Sequence, residues 1–301
     1  MDDADGTVIA NAVRDLLLLS AASTESEIPR CAQDDRTLGG ATRVAADATV
    51  PIRSCLSAKV VAMPRPRSVV PRLQRRLACH QALYDPRREP RNRSRWLPEL
   101  QRWQAQRLEA GFAEFLDDPR SAPAARFFLT DVYGAHDFSR RDADIAKVLP
   151  MMQRLLPEAL LRTVADGIEL GALTHAFDLR IAQTLEQLAP TRRRLDEALY
   201  ARAYREVGLP RLRAHQIDLI VRVGQGLAGA LRMPGVATLL RLSRGPAKAA
   251  GLGELQGFLE RGFEAFAALG DAKVFLERIE RNEREVARRL FADEAEPFRP
   301  M

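Results

Sequence analysis

Residues 157–188, PEALLRTVADGIELGALTHAFDLRIAQTLEQL, constrain the fold of this chain more than any other segment. At about 100° per residue, a helix places its few long polar side chains on one narrow face. These side chains are Arg162, Glu169, Arg180, Gln183 and Gln187. Nearly every other direction is apolar, so we expect this helix to run through the middle of a helical bundle.

From residue 96 onward the apolar residues keep the helical period, and proline and glycine interrupt them at short intervals. We expect one helix capped by Thr191 and ended by Gly208, a new start near Pro246, and a last helix capped by Asp271. The sequence therefore predicts an all-α protein, a single multi-helix bundle of about eight to ten helices with a disordered N-terminal tail.

Four segments follow from the shifts in composition. Residues 1–62 scatter Ser, Thr, Asp and Gly without an apolar face, and we interpret them as disordered or as a spurious extension before a translation start at Met63. A functional module there is the remaining alternative. Residues 63–95 are a basic lead-in rich in Arg and Pro, residues 96–292 are the helical bundle, and residues 293–301 are a tail.

The positive charge is local. The chain has a formal net charge of +6, and residues 64–95 alone carry ten arginines against two acidic residues. This segment could bind phosphate backbones without sequence preference, and prolines restrict any helix in it to about residues 71–84. The candidate contacts are Arg65, Arg67, Arg72, Arg75 and Arg76.

Compartment and membrane attachment follow from two simple observations. Cys31, Cys55 and Cys79 do not have the spacing of a zinc site, and disulfides are not required. No stretch approaches the roughly 18 apolar residues of a membrane span. We expect a cytoplasmic protein with no membrane contact.

The stretch VGQGLAG, residues 223–229, matches the glycine spacing of dinucleotide-binding loops. That loop needs a strand before the glycines and a second strand after the helix, and the surrounding residues fit a helix instead. We therefore expect Gly224, Gly226 and Gly229 to let another helix approach closely, or to break the helix locally. No nucleotide cofactor is expected.

His175 and Asp178 are polar residues on the apolar side of the long helix, three positions apart. A buried carboxylate needs a hydrogen-bond partner, and His175 could supply it. One interpretation is an acid–base pair or ligand site in the bundle core. The other is an internal polar contact that fixes how the helices pack.

The stretch TDVYGAHDFSRRD concentrates polar and aromatic groups in one loop between helices. Its candidate site residues are Tyr133, His136 and Asp137, although helix capping and surface ion pairs would explain the same residues. None of the four histidines has Glu three positions before it, which disfavours a di-iron site. No nucleophile motif is present either, so neither metal nor cofactor is expected and enzymatic activity stays undecided.

Two long phrases, RFFLTDVYGAHDFSRRDADIAKVLP and GPAKAAGLGELQGFLERGFEAFAALGDAKVFLERIERNE, are similar to an uncharacterised family of small proteobacterial proteins, a domain of unknown function. The resemblance covers roughly residues 75–292. It implies the limits of the domain, and it implies no activity, cofactor or catalytic residue.

Our leading functional hypothesis is a non-enzymatic interaction or regulatory protein, with a protein partner or a second copy bound at the glycine-lined helix or the 131–142 loop. The first alternative is a small-molecule-binding or enzymatic bundle whose pocket is lined by Tyr133, His136, His175 and Asp178. The second is weak nucleic-acid binding through residues 64–95.

Overall fold

The computed structural model describes residues 69–132, 147–148 and 157–299. The expectations for residues 1–62 and for Met63 as a start lie outside these ranges. So do the candidate residues Tyr133, His136 and Asp137, together with Arg65 and Arg67.

Ten α-helices lie wholly within the described ranges, which contain no strand. They are α1 (Val69–Tyr84), α2 (Trp96–Gly111), α3 (Ala113–Asp117), α4 (Ala122–Phe127), α5 (Glu158–Leu188), α6 (Glu197–Val207), α7 (Pro210–Leu231), α8 (Val236–Ala249), α9 (Gly253–Ala268) and α10 (Ala272–Phe291). A 3-10 turn at Pro90–Arg93 precedes α2, and a π turn at Phe128–Val132 follows α4. The predicted all-α fold is confirmed.

The long helix α5 is the central element, as its pattern predicted. Leu179, Ile181 and Leu185 have no exposed surface, and α1, α2, α6 and α7 all pack against this helix. Burying a side chain of this size contributes about 1.5–3 kcal/mol, so α5 organises most of the core.

The first helix, α1, lies in the segment interpreted as a basic lead-in, and it packs along α5. Its Leu73 and Leu77 are buried against Leu161, Ala165 and Ile168 of α5. This contact brings the segment that follows α1, which includes Asn92, next to the middle of α5.

Two of the predicted helix ends are confirmed and one is wrong. Asp271 accepts hydrogen bonds from the backbone of Lys273 at 2.9 Å and Val274 at 3.3 Å, and Gly208 ends α6 with φ 65. The cap of α6 is Asp196 rather than Thr191, with 2.9 Å from Leu199 N to Oδ1. The helix starts late because Leu195 is buried and its N–H is bound to Glu99 of α2.

The predicted helix start at Pro246 is also wrong. Helix α8 continues through Pro246 to Ala249, and α9 begins at Gly253. An internal proline leaves the carbonyl four residues earlier without its helical partner. Here that residue is Leu242, which is 52% exposed. Helix α8 therefore accommodates its proline at a position near the surface.

The glycine-lined helix α7 is confirmed as a helix, and two of its three glycines allow close packing. A Cβ atom would come within 3.0 Å of the Leu276 side chain at Gly224, and of the Thr163 side chain at Gly226. At Gly229 it would meet no described residue within 4 Å. The packing role predicted for Gly229 is therefore wrong, because none of the helices described here reaches that position.

This difference gives a matched pair of substitutions. Gly224→Ala should lower the free energy of unfolding by about 1–2 kcal/mol, because the added methyl group overpacks the buried Leu276. Gly229→Ala should raise it by about 0.5–1 kcal/mol, because alanine favours the helix and has open space. Urea unfolding of both variants measures the two effects, and equal effects would contradict the packing described here.

Candidate functional site

Three rings lie in contact between α1 and α5. The rings of Tyr84 and His175 are stacked, with centroids 3.9 Å apart and 12° between planes. The ring of His80 contacts that of Tyr84 at a tilt of 44°, with centroids 4.6 Å apart. His80 and His175 are each only 4% exposed, so this stack belongs to the interior.

His175 is held by a residue of the 3-10 turn. The side-chain amide nitrogen of Asn92 donates to the carbonyl oxygens of Leu83 and Glu89, so its Oδ1 accepts from His175 Nε2 at 2.7 Å. Burial, and to a smaller extent the nearby charge of His80, lower the pKa of His175 to about 4. The imidazole is therefore neutral at pH 7.

Asp178 has a different set of partners. It accepts hydrogen bonds from Gln104 and Gln101 of α2, and burial raises its pKa to about 6. The positive charge of Arg213 opposes that shift. His175 and Asp178 thus lie on the same helix but bond to separate groups, and the pairing expected from their spacing is replaced by two independent polar contacts.

Sequence reasoning missed the residues that complete these contacts. Leu73, Leu77, His80 and Tyr84 are spaced by four, three and four positions, so they share one helix face. That spacing could have placed His80 and Tyr84 beside α5. No local signal could have assigned Asn92 to His175, because they are 83 positions apart.

A charged network joins α1, α5 and α7 at the surface. Asp166 accepts from Arg76 Nη1 at 2.9 Å and from Arg222 Nε at 3.2 Å. Glu169 pairs with Arg76 and accepts from His215 Nε2 at 2.8 Å. Arg72 also lies 3.4 Å from Asp166. Arg72 and Arg76, two of the arginines proposed to contact nucleic acid, are therefore paired with acidic residues of α5. Arg75 is exposed, and nucleic-acid binding stays a prediction.

The described part of the 131–142 loop is its first two residues, 131 and 132. Asp131 Oδ1 accepts from Arg261 of α9, at 2.8 Å from Nε and 2.5 Å from Nη2. This is a surface ion pair of the kind that the plainer interpretation expected. The remaining candidate residues of the loop lie outside the described ranges.

A groove of about 390 Å³ lies between α7 and α10. It is lined by Val221, Gln225, Ala228, Gly229, Arg232, Ala272, Lys273, Leu276, Glu277 and Glu280. The exposed Gly229 thus faces a groove rather than a helix. Val274 of α10 is 60% exposed and is not part of the groove lining.

Two further properties bear on what the protein can bind. Within residues 69–132, 147–148 and 157–299, no group of three or more His, Cys, Asp or Glu side chains is arranged to hold a metal ion. In the same part of the chain, every helix is too short or too polar to cross a bilayer.

Comparison with known proteins gives one match. Residues 83–297 match a family described as a domain of unknown function, DUF8198. Neither a search of curated proteins nor a search of solved structures gives a match to the chain.

Proposed function

Since this chain belongs to the DUF8198 family of domains of unknown function, family membership brings no activity with it, and we propose from the geometry that the protein is a non-enzymatic interaction protein. It receives a segment of a second protein in the groove between α7 and α10. The observation that carries this proposal is the groove itself, about 390 Å³ in volume and lined by both helices.

The lining of the groove suits a polypeptide backbone. Ala228, Gly229 and Ala272 are small, so they leave room for a backbone to lie against both helices. Because Gly229 has no side chain and no described residue lies within 4 Å of the position its Cβ would take, a partner can approach the α7 backbone closely.

The charges along the groove give it a direction. Gly224 packs on Leu276, and Arg284 donates to Asp218 at 2.5 Å, so α7 and α10 run antiparallel. Arg232 and Lys273 therefore lie at one end of the groove, and Glu280 lies beside Val221 towards the other. A complementary segment carries an acidic residue at one end and a basic residue at the other, which fixes its orientation.

A photo-crosslinking amino acid at Gln225 tests this proposal in cells of the source organism. The same amino acid at Arg193, an exposed loop position, is the control. We expect a defined partner protein to crosslink from Gln225 and not from Arg193, through a segment with acidic and basic ends. A crosslink only to a second copy of this chain, or equal labelling from both positions, would exclude the proposed partner.

Affinity for the identified partner provides the quantitative test. Gly229→Trp fills the groove and should weaken binding at least tenfold, which corresponds to about 1.4 kcal/mol. Gly111→Trp is the matched control, because Gly111 is also an exposed glycine at a helical position, with no described residue within 4 Å of its Cβ position. Equal affinities for the two variants would show that the groove is not the docking site.

A further inference from the structure

Arg213 is a buried arginine whose guanidinium group packs over aromatic rings. Its Cζ atom is 3.5 Å from the ring centroid of Phe177 and 4.5 Å from that of Tyr204. The residue is 8% exposed. The rings stabilise the positive charge through cation–π contacts, and they leave the edges of the guanidinium group to form hydrogen bonds.

One nitrogen of this group is fixed by neighbouring side chains. Nη1 donates to Gln216 Oε1 at 3.2 Å, and Gln216 Nε2 donates to Thr174 Oγ1 at 2.8 Å. This chain of hydrogen bonds ties Arg213 of α7 to Thr174 of α5. It sets the direction in which the rest of the guanidinium group points.

The other edge of Arg213 has buried donors without acceptors. Nε and Nη2 are both buried, and neither has a hydrogen-bond partner among the described residues. Leaving a buried donor unsatisfied costs about 1–3 kcal/mol, and more for a charged group. Nε and Nη2 together form the edge with two parallel N–H groups that arginine uses to bind a carboxylate through two hydrogen bonds.

The acidic group on which the charge of Arg213 acts is Asp178, and it is bound elsewhere. Asp178 is 6% exposed, and its carboxyl group accepts from Gln101 and Gln104. The charge of Arg213 acts on Asp178, although burial raises the pKa of Asp178 to about 6. Below about pH 6 the carboxyl group of Asp178 keeps its proton. It can then donate a hydrogen bond to a neighbouring oxyanion instead of repelling it.

We propose that the Nε and Nη2 edge of Arg213 is a binding site for a small carboxylate, held inside the bundle beside Phe177, Tyr204 and Asp178. A planar carboxylate matches the two parallel N–H groups, and the covering rings favour it over a tetrahedral phosphate. The site is separate from the groove between α7 and α10, and it does not depend on the function proposed for that groove.

Titration of the whole protein with acetate tests the proposal by the ¹⁵Nε–¹Hε NMR signal of Arg213. We expect a saturable shift of this signal with acetate and a smaller, unsaturable one with chloride at equal ionic strength. An acetate response no larger than the chloride response would overturn the proposal. A response to inorganic phosphate stronger than that to acetate would overturn the assignment to carboxylates.

Variants supply a second readout. Arg213→Lys keeps the charge but loses the paired N–H groups, and it should weaken acetate binding at least tenfold, measured in both proteins by the backbone amide signals of Phe177 and Tyr204, whose rings cover the site. Arg284→Lys, at an arginine that forms surface ion pairs, should leave binding unchanged. Should Arg213→Lys fail to fold, a crystal structure of the unsubstituted protein with acetate decides. A carboxylate on the Arg213 edge supports the proposal, and only water or the Asp178 carboxylate there refutes it.

Discussion

Lowering the pH from 7 to 4 is expected to remove about 3 kcal/mol from the free energy of unfolding through His175 alone. Burial lowers the pKa of His175 from 6.5 in the unfolded chain to about 4 in the fold. The unfolded chain therefore binds the proton first as the pH falls. The contribution of His175 is fully present above pH 6.5 and is lost as the pH falls through about 4.

Urea unfolding across this pH range measures the effect by comparison with His175→Gln, whose amide can still donate to Asn92. The difference in unfolding free energy between the unsubstituted protein and this variant should fall by about 3 kcal/mol between pH 7 and pH 4. His215→Gln is the control. Burial also lowers the pKa of His215, but its side chain is 37% exposed, so we expect the same sign and a smaller change. Parallel curves for the protein and His175→Gln would contradict the burial of a neutral His175.

The helical architecture could be predicted because it depends on local patterns. The narrow polar face of residues 157–188 requires burial on nearly all sides, and α5 lies where this pattern places it. Asp271 and Gly208 act within a few residues of their own helix ends. Each of these two signals acts over a short range and is confirmed, whereas the equally local cap predicted at Thr191 failed because the surrounding fold buries Leu195 and binds its N–H to Glu99.

The polar contacts of the core could not be predicted in the same way. His175 bonds to Asn92, and Arg213 packs on Phe177, across separations set only by the packing of whole helices. The same limit explains the three glycines. Gly224, Gly226 and Gly229 have the same local signal, but which of them meets another side chain depends on where α5 and α10 pass.

His175 and Asp178 also show why residue type alone says little about role. Both are buried polar residues on one helix, and burial shifts their pKa values in opposite directions, past one another. At pH 7 the buried His175 is neutral, while the buried Asp178 keeps its charge at a cost in stability. Their effects on stability therefore have opposite signs.

As the pH rises from 3.5 to 7.5, the free energy of unfolding of Asp178→Asn is expected to increase by about 3 kcal/mol relative to that of the unsubstituted protein. Burial raises the pKa of Asp178 from 3.8 to about 6, so the folded protein binds this proton more tightly than the unfolded chain does. The stabilising contribution of Asp178 is fully present below pH 3.8 and is lost as the pH rises through about 6. Asparagine does not titrate, and the difference between the two proteins isolates this group.

Between pH 4 and pH 6 the contributions of His175 and Asp178 oppose each other, because folding disfavours the proton on one and favours it on the other. The free energy of unfolding of Asp178→Asn should therefore rise more steeply with pH than that of the unsubstituted protein. For His175→Gln it should fall as the pH rises, so the slope has the opposite sign. Asp196→Asn is the control: hydrogen bonds from Arg192 and from the backbone of Leu199 lower the pKa of Asp196, so its removal should make the slope shallower rather than steeper. If Asp178→Asn leaves the slope unchanged, Asp178 ionises in the fold as it does in water, and Arg213 is then its ion-pair partner.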